Sequence, residues 1–492
     1  MSAKPAGTAQ IRFGTDGWRA VISQDFTFAN LERVAQAYAD YLSKQSREAS
    51  LTFQPHDESR TPLVIVGYDR RFLSEKFALR AAEVLAGNDF RVALFDEAVP
   101  TPLVSWAVRE EGAAGGVVIT ASHNPPEFNG FKIKAPWGGS APPETTAQVE
   151  ALVDSEPVRK ADFTKLETDR ELLIAATNSY LEQLASYVDL ELLRSAKHRV
   201  IVDPMHGSGG VWVESLLRGG TSEVKVEVET IRAARDPLFG GVNPEPIDKN
   251  LAPLKNRVKE TGAILGLATD GDADRVGAVN ERGETLTMHE VVPLLLLHLA
   301  RRRGMSGGVV RTFSQSVLTK RIAAAHKLKL YETPIGFKYI ADLMLRENIL
   351  LGAEESGGIG VCGHIPERDG ILNSLLLLEA VIASGLTPSE MVAELHREFG
   401  EFHFGRRDLH MAVARGQELV ARLAGNPPAN FAGLSVHALE TLDGVKLSFA
   451  DESWLLFRQS GTEPVLRIYS EATSVALVSA LLDEGERISN AG

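Results

Sequence analysis

Apolar runs rich in valine and isoleucine recur along the chain, and each ends abruptly in small or polar residues. PLVIVGYD (62–69), GGVVITASHNP (115–125), RVIVDPMHGSGG (199–210) and AILGLATDGDAD (263–274) share this form, and GGVVRTFSQS (307–316) follows it more loosely. An apolar run without alternation suits a strand covered on both faces, as in a sheet flanked by helices. Helical periodicity fills the intervals: Leu31, Val34, Tyr38, Tyr41 and Leu42 fall near one face of a helix, with Asn30 as its candidate cap. The alternation predicts α/β domains with functional loops at the carboxyl ends of strands. The unit repeats without a strict period, so similar domains in series are expected.

At roughly 100–200 residues per domain, the length of 492 residues suggests three or four domains. A charged stretch near 155–170 leads into the helical pattern LLIAATNSYLEQLASYV, which puts a first boundary near 168. The hairpin pattern VNERGETLT (279–287) puts a second near 285. After about 400 the character changes: DGVKLSF, SWLLFRQ and VLRIYSEA read as short strands and SVALVSALLDEGERI as a closing helix. The expected spans are 1–168, 169–285, 286–399 and 400–492, the last a smaller α+β domain.

A net charge of −13 argues against nucleic acid or an anionic membrane as the main partner. An anionic small molecule stays open, because local basic residues offset the global field. The single cysteine, Cys362, permits no intramolecular disulfide and fits a reducing compartment. The polar start MSAKPAGTAQ has no signal-peptide core, and VVPLLLLHLA (291–300) is far shorter than the ~20 residues that cross a bilayer. A buried helix in a cytoplasmic protein is the expectation.

In DGDADR, Asp270, Asp272 and Asp274 stand at alternate positions straight after a strand. On extended backbone they share a face, where three carboxylates repel unless a cation sits among them. Hard oxygen ligands favour Mg²⁺ or Ca²⁺. An EF-hand is the rival, with Glu281 at the twelfth loop position, but Arg275 stands at the sixth, where the sharp turn wants glycine, and the flanks read as strands. The alternative is a solvated acidic turn. In RQSGTEPVLR (458–467), Arg458 and the N–H groups and hydroxyls of Ser460, Gly461 and Thr462 suit a phosphate nest, or merely a hairpin turn. In GAEESGG (352–358), Glu354, Glu355 and Ser356 suit sugar hydroxyls, or a polar connection.

TASHNPPEFNGFK (120–132) sets Ser122 beside His123, stiffens the next step with two prolines and ends on Lys132. The G-x-S-x-G elbow of serine hydrolases is absent, and adjacent side chains on extended backbone point apart, which puts His123 poorly for deprotonating Ser122. A phosphoryl-carrying serine fits better: it needs an exposed hydroxyl on a stiff loop and cations against a charge of about −1.5 to −2. The plain alternative is a turn holding a hairpin.

FGTDGWRA (13–20), TASHNPPEFNGFK, DGDADR, TPIGFKYI (333–340) with EESGG, and RQSGTEPVLRIY occur in one order over nearly the whole length. In this the chain resembles the α-D-phosphohexomutases, the phosphoglucomutase/phosphomannomutase superfamily, and most of all its bacterial phosphoglucomutases. The resemblance implies three related α/β domains in series and a smaller α+β domain that closes over a central cleft. It implies a phosphosugar substrate and transfer through a phosphoserine at Ser122 and a hexose 1,6-bisphosphate that also serves as activator. One Mg²⁺ would be held by Asp270, Asp272, Asp274 and the Ser122 phosphate. His123 and Lys132 would share proton transfer, Arg19 would act as an electrostatic clamp, and Arg275 would contact the phosphoserine. Glu354 and Ser356 would grip sugar hydroxyls, with Gly336, Phe337 and Lys338 near the sugar. Arg458, Ser460, Gly461 and Thr462 would hold the phosphate that is not reacting. Gln459 stands where the family often has proline, and GWRA replaces a more usual GIRG; neither removes a chemical group. EESGG resembles the glucose/mannose type, since Gly358 stands where the glucosamine type often has histidine. Glucose is the expected sugar, with a phosphomannomutase or dual-specificity enzyme as the alternative. A metal-dependent phosphatase using an aspartyl nucleophile, and a non-catalytic sugar-phosphate binder, are the readings from other classes.

Overall fold

Strands apolar on both faces need helices on both sides, and a computed structural model shows that arrangement. It describes residues 10–14, 17–52, 61–162, 169–219, 224–460 and 464–491. The fold comprises three α/β domains and a C-terminal domain built on an antiparallel sheet. The chain forms two compact units: residues up to Thr285 with Gly358–Ala383, and Leu286–Gly357 with the residues from Ser384 on.

The first unit holds two sheets of one plan. Strands β1 (Gly17–Val21), β2 (Leu63–Tyr68), β3 (Arg91–Leu94), β4 (Gly115–Ile119) and β5 (Phe128–Lys134) lie in the order β1-β5-β4-β2-β3. Strands β6 (Arg199–Asp203), β7 (Glu227–Thr230), β8 (Leu265–Thr269), β9 (Val276–Asn280) and β10 (Thr285–Leu286) lie in the order β10-β9-β8-β6-β7. In the first, β2 pairs parallel with β3 and β4, and the chain returns antiparallel from β4 into β5; in the second, β6 pairs parallel with β7 and β8, and the chain returns antiparallel from β8 into β9. The loops inside those two returns, 120–127 and 270–275, carry the serine and the aspartates. Val64, Val66, Val117, Ile119 and Phe131 bury the first sheet against helices Phe28–Thr52 and Ser74–Ala86.

The cap of Phe28–Thr52 differs from the expected Asn30. Thr27 Oγ1 accepts from the Asn30 amide at 3.2 Å, and the Thr27 carbonyl accepts from Leu31. Asn30 already lies inside the helix, because the apolar stripe extends one turn earlier, through Phe28.

In the second unit, β11 (Gly308–Thr312), β12 (Leu330–Thr333) and β13 (Ile349–Ala353) pair in parallel in the order β12-β11-β13. The EESGG loop follows, and the short β14 (Ile359–Val361) beyond it belongs to the first unit. The last sheet runs β15 (His403–His410), β16 (Asn430–Phe431), β17 (Leu434–Glu440), β18 (Val445–Phe449), β19 (Trp454–Gln459) and β20 (Val465–Ala472), in the order β15-β20-β19-β18-β17-β16. Each neighbouring pair in it is antiparallel. The run at 291–300 is the buried helix Met288–Leu297 passing into a π-helical turn. Among the described residues, no single helix is long and apolar enough to cross a membrane.

Glu471, on β20, ties this sheet to the elements before it in the second unit. Fully buried, it accepts from His289 Nδ1 (2.9 Å), Ser316 Oγ (2.6 Å), the Val317 amide (2.8 Å) and Trp454 Nε1 (2.9 Å). Burial alone would raise its pKa, but His289, Ser316 and the Val317 amide hold it down at about 2. The folded value lies below the ordinary 4.5. Its stabilisation is therefore complete above pH 4.5 and is lost as pH falls through about 2. Glu471→Ala is expected to lower stability at pH 7 by about 3–5 kcal/mol, since it orphans buried donors. Denaturant melts of wild type and Glu471→Gln should converge as pH falls below 4.5; a constant gap between them contradicts this account.

Candidate active site

Ser122 begins the return from β4 to β5 and is almost completely buried, which departs from the exposed hydroxyl expected of a phosphoryl carrier. Its φ of 52° is left-handed, which is uncommon for serine. This corrects the expectation drawn from extended backbone: the twist brings Ser122 Oγ to 3.4 Å from His123 Nδ1. The hydroxyl donates to Asp270 Oδ2 at 2.9 Å. Gly271 makes this approach possible, because a Cβ there would stand 2.5 Å from the Ser122 carbonyl oxygen.

The aspartate loop is also a turn and not an extended segment. Ala273 has φ 60°, and Asp270 Oδ1 accepts from the amides of Asp274 (3.0 Å) and Arg275 (3.1 Å). The curl, and not strand alternation, gathers the carboxylates. One oxygen from each of Asp270, Asp272 and Asp274 lies within 4.8 Å of the others, and all three residues are buried.

The surrounding cations are as close. Lys132 Nζ donates to Asp272 Oδ2 at 2.9 Å and Asp274 Oδ2 at 3.1 Å. Arg368 Nη2 lies 2.8 Å from Asp274 Oδ2. Arg275 Nε lies 4.0 Å from Asp270 and 3.9 Å from Asp274. Thr101 Oγ1 donates to Asp272 Oδ2 at 2.7 Å. Arg19 reaches Asn124 Oδ1 on the serine loop at 2.7 Å.

These neighbours split the acids. Burial first, then the charges of Asp272 and Asp274, push Asp270 well above the usual carboxylate range. Burial opposes ionisation of Asp274 too, but Arg368, Lys132 and Arg275 outweigh it and hold that carboxyl below its ordinary value. Desolvation, with Arg275 and Arg19 nearby, pushes His123 well below 6.5, so it is a neutral acceptor at pH 7. Asp272 Oδ1 and Asp274 Oδ1 are buried with no hydrogen-bond partner. Orphaned hard oxygens beside a gathered trio fit a divalent cation.

The other expected residues lie in the second unit. Glu354 is buried just after β13, and Ser356 is half-buried. Their neighbour Glu355 accepts from Ser314 Oγ at 3.1 Å. Gly336 (φ 138°) precedes the helix Phe337–Arg346. The Phe337 side chain packs into the core with Val310, Ile340 and Ile349. Lys338 stands half-buried over the Tyr339 ring. Arg458 Nε pairs with Asp443 Oδ2 at 2.9 Å, and the same oxygen accepts from the Ile335 amide at 2.9 Å. This joins the TPIGFKYI loop to the arginine. A cavity of about 390 Å³ borders Arg458, Asp443 and Gln417. Ser460 is buried, its amide bonded to the Val465 carbonyl at 3.0 Å; Gly461 and Thr462 lie outside the described residues.

Thr101, Arg368 and Asp443 escaped the sequence reading, since each stands outside the loops singled out there. A signal existed for Arg368: it lies in HIPERDG, a charged run directly before the apolar helix Gly370–Ser384.

Residues 10–160, 178–283, 288–399 and 412–487 match, in turn, domains I, II, III and the C-terminal domain of phosphoglucomutase/phosphomannomutase. The phosphoglucomutase/phosphomannomutase of Thermococcus kodakarensis is 33% identical over 97% of this chain and 98% of its own. The chain belongs to the phosphoglucomutase/phosphomannomutase family. As a member it is a phosphohexomutase, an intramolecular phosphotransferase. A phosphoglucosamine/phosphogalactosamine mutase of Sulfurisphaera tokodaii is 27% identical over 97% of this chain and 98% of its own. A solved structure of a candidate phosphomannomutase from Thermus thermophilus superimposes with a TM-score of 0.83 at 37% identity, covering 98% of this chain and 100% of that one. These relatives span several sugars and include archaeal mutases, so they do not single out the bacterial phosphoglucomutases.

If the aspartate trio of this phosphohexomutase holds a cation, adding Mg²⁺ at 100 times its dissociation constant should stabilise the chain by about 2.7 kcal/mol. Thermal melts should show the shift in wild type and lose it in Asp272→Asn. A shift that persists in Asp272→Asn and Asp274→Asn together places the cation elsewhere.

Proposed function

We propose that the chain interconverts hexose 1-phosphate and hexose 6-phosphate, glucose foremost, through a phosphoserine at Ser122 and a hexose 1,6-bisphosphate. The observation that carries this reading is the Ser122 hydroxyl, 2.9 Å from Asp270 within the buried acidic trio. In the forward direction the P–Oγ bond of phosphoserine breaks and a bond from phosphorus to sugar O6 forms. His123, neutral and 3.4 Å from Oγ, and Lys132 share the two proton transfers, one from the attacking hydroxyl and one to the released serine oxygen. The bisphosphate then turns over, its other phosphoryl group passes to Ser122, and the 6-phosphate leaves.

Transfer of this kind depends mostly on positioning and charge. Mg²⁺, held by Asp270, Asp272, Asp274 and the serine phosphate, would neutralise charge on the transferring group. Arg19 and Arg275 would clamp its oxygens, staying protonated throughout. Glu354 and Ser356 would read sugar hydroxyls, with Gly336, Phe337 and Lys338 near the sugar. Since Phe337 is packed in the core, it would act through its backbone. Arg458, Ser460, Gly461 and Thr462 would take the idle phosphate. The domain boundaries near 168, 285 and 399 are part of the same proposal; residue 168 itself lies outside the described residues.

The glucose assignment rests on the two glutamates of EESGG and on Gly358. Mannose is the second reading, supported by the relatives that carry phosphomannomutase in their names. Intact-mass analysis should find one phosphate on Ser122, and Ser122→Ala should remove nearly all mutase activity. A coupled assay on the 1-phosphates of glucose, mannose and glucosamine should give glucose the highest kcat/KM. Activity largely intact in Ser122→Ala points to an aspartyl phosphatase instead, and a strong preference for mannose or glucosamine overturns the sugar assignment.

A further inference from the structure

A loop that presents a reacting hydroxyl must hold it within about half an ångström of its productive place. The serine loop is gripped by a residue that takes no part in the scheme above. Arg71, two residues past the Asp69 that follows β2, is completely buried. Its Nε donates to Asp69 Oδ2 at 3.1 Å. Its Nη1 donates to the carbonyls of Pro125 (2.7 Å) and Phe128 (3.1 Å). Its Nη2 donates to the carbonyls of Ser122 (2.6 Å) and Asn124 (2.7 Å). A guanidinium carries five N–H donors. All five are engaged, four of them on carbonyls of the segment 122–128.

The other side of Ser122 is tied to the same pair. Thr120 Oγ1 accepts from the Ser122 amide at 2.9 Å and donates to Asp69 Oδ2 at 2.6 Å. Asp69 Oδ1 accepts from Ser74 Oγ at 2.9 Å and from the Arg71 amide at 3.0 Å. The Phe239 ring covers the guanidinium, 5.0 Å away. The amide of Ser122 and its carbonyl therefore both end on one buried network.

Burying a full charge is expensive, and a turn that served only to join two strands would close with neutral backbone bonds. The conformation explains the investment. Ser122 is left-handed, a state a serine leaves unless its surroundings hold it there. With Ser122 in the common extended region, Oγ would turn away from Asp270.

We propose that Arg71 is a positioning residue for phosphoryl transfer: with Asp69 and Thr120 it locks Ser122 in the left-handed conformation that aims Oγ at Asp270. The inference rests on Ser122 being the phosphoryl carrier. Lysine cannot replace Arg71, because one ammonium cannot serve four carbonyls spread around a planar fork. Loss of the lock moves the reacting oxygen and leaves the sugar-binding groups of the second unit in place, so kcat falls and KM does not.

The test uses the full chain with Arg71→Lys and, separately, Thr120→Val. For each we measure kcat, KM for a hexose 1-phosphate, the melting temperature and the fraction of Ser122 carrying phosphate. A displacement near 1 Å is worth about 10²-fold in rate, so Arg71→Lys is expected to lose about 100-fold in kcat with KM within threefold. Its phosphoserine should form proportionately more slowly from the bisphosphate. Thr120→Val should lose about tenfold in kcat, again with KM unchanged. A folded Arg71→Lys chain with kcat within threefold of wild type overturns the proposal. If Arg71→Lys does not fold, Thr120→Val decides: kcat within threefold of wild type overturns the proposal, and a tenfold loss at constant KM supports it. A fall in kcat matched only by a fall in melting temperature, with KM rising in step, also overturns it and leaves Arg71 a structural residue. A wild-type chain with no phosphate on Ser122 and no mutase activity defeats the underlying reading instead, and is seen before any variant is made.

Discussion

Three carboxylates crowded within 4.8 Å of one another, and buried, set the terms for the rest of the first unit. Isolated carboxylates at such depth would take up protons. Here Lys132, Arg275 and Arg368 stand against Asp270, Asp272 and Asp274, so with all three acids ionised the formal charges of the six balance. A divalent cation added to that centre would leave an excess of positive charge. A phosphate of about −1.5 to −2 on the serine hydroxyl beside Asp270 would remove that excess. Under the proposed function the acidic trio, its cations and Ser122 would thus form one electrostatic unit, completed by the ion and the phosphate together.

The fold delivers these groups by using one device twice. In both sheets of the first unit a strand with a parallel neighbour on one side ends in a tight loop, and the chain returns antiparallel on its other side. One return carries Ser122, the other the aspartates, and glycine at 271 lets the two loops touch. In the second unit β13 likewise ends in a polar loop, that of Glu354. Left-handed residues appear where the loops curl, at Ser122 and Ala273. Such strain persists only where the surroundings hold it, and the buried Asp69–Arg71 pair supplies that hold at the serine.

The sequence was most informative where a residue type does the chemistry and least where geometry does. Val- and Ile-rich runs marked β2, β4, β6, β8 and β11, because strands covered on both faces leave an uninterrupted apolar signal. β15 and β17 left none: HFGRRDLH and LSVHALE are largely half-buried or exposed, so no apolar run announces them. Asp270, Asp272 and Asp274 were legible as a candidate metal loop, yet by an argument from extended backbone that the turn at Ala273 overrides. The same assumption set His123 apart from Ser122, and a single left-handed φ reversed it. Arg71 was invisible, and Arg368 showed only as part of a charged run, because each reaches partners across long stretches of chain that only the fold brings together. Phe337 shows the opposite failing: it belongs to the TPIGFKYI loop by sequence, while its ring belongs to the core.

The balance of charge around Ser122 is open to one direct measurement. Chain purified with Ser122 phosphorylated, and the same chain stripped of that phosphate, are titrated with Mg²⁺ by calorimetry at matched pH and ionic strength. A centre completed jointly by ion and phosphate predicts at least about tenfold tighter binding to the phosphorylated form, the size of an ordinary coupling between linked sites. Equal affinity for the two forms contradicts it, and would mean that the aspartates bind their cation without reference to the serine beside them.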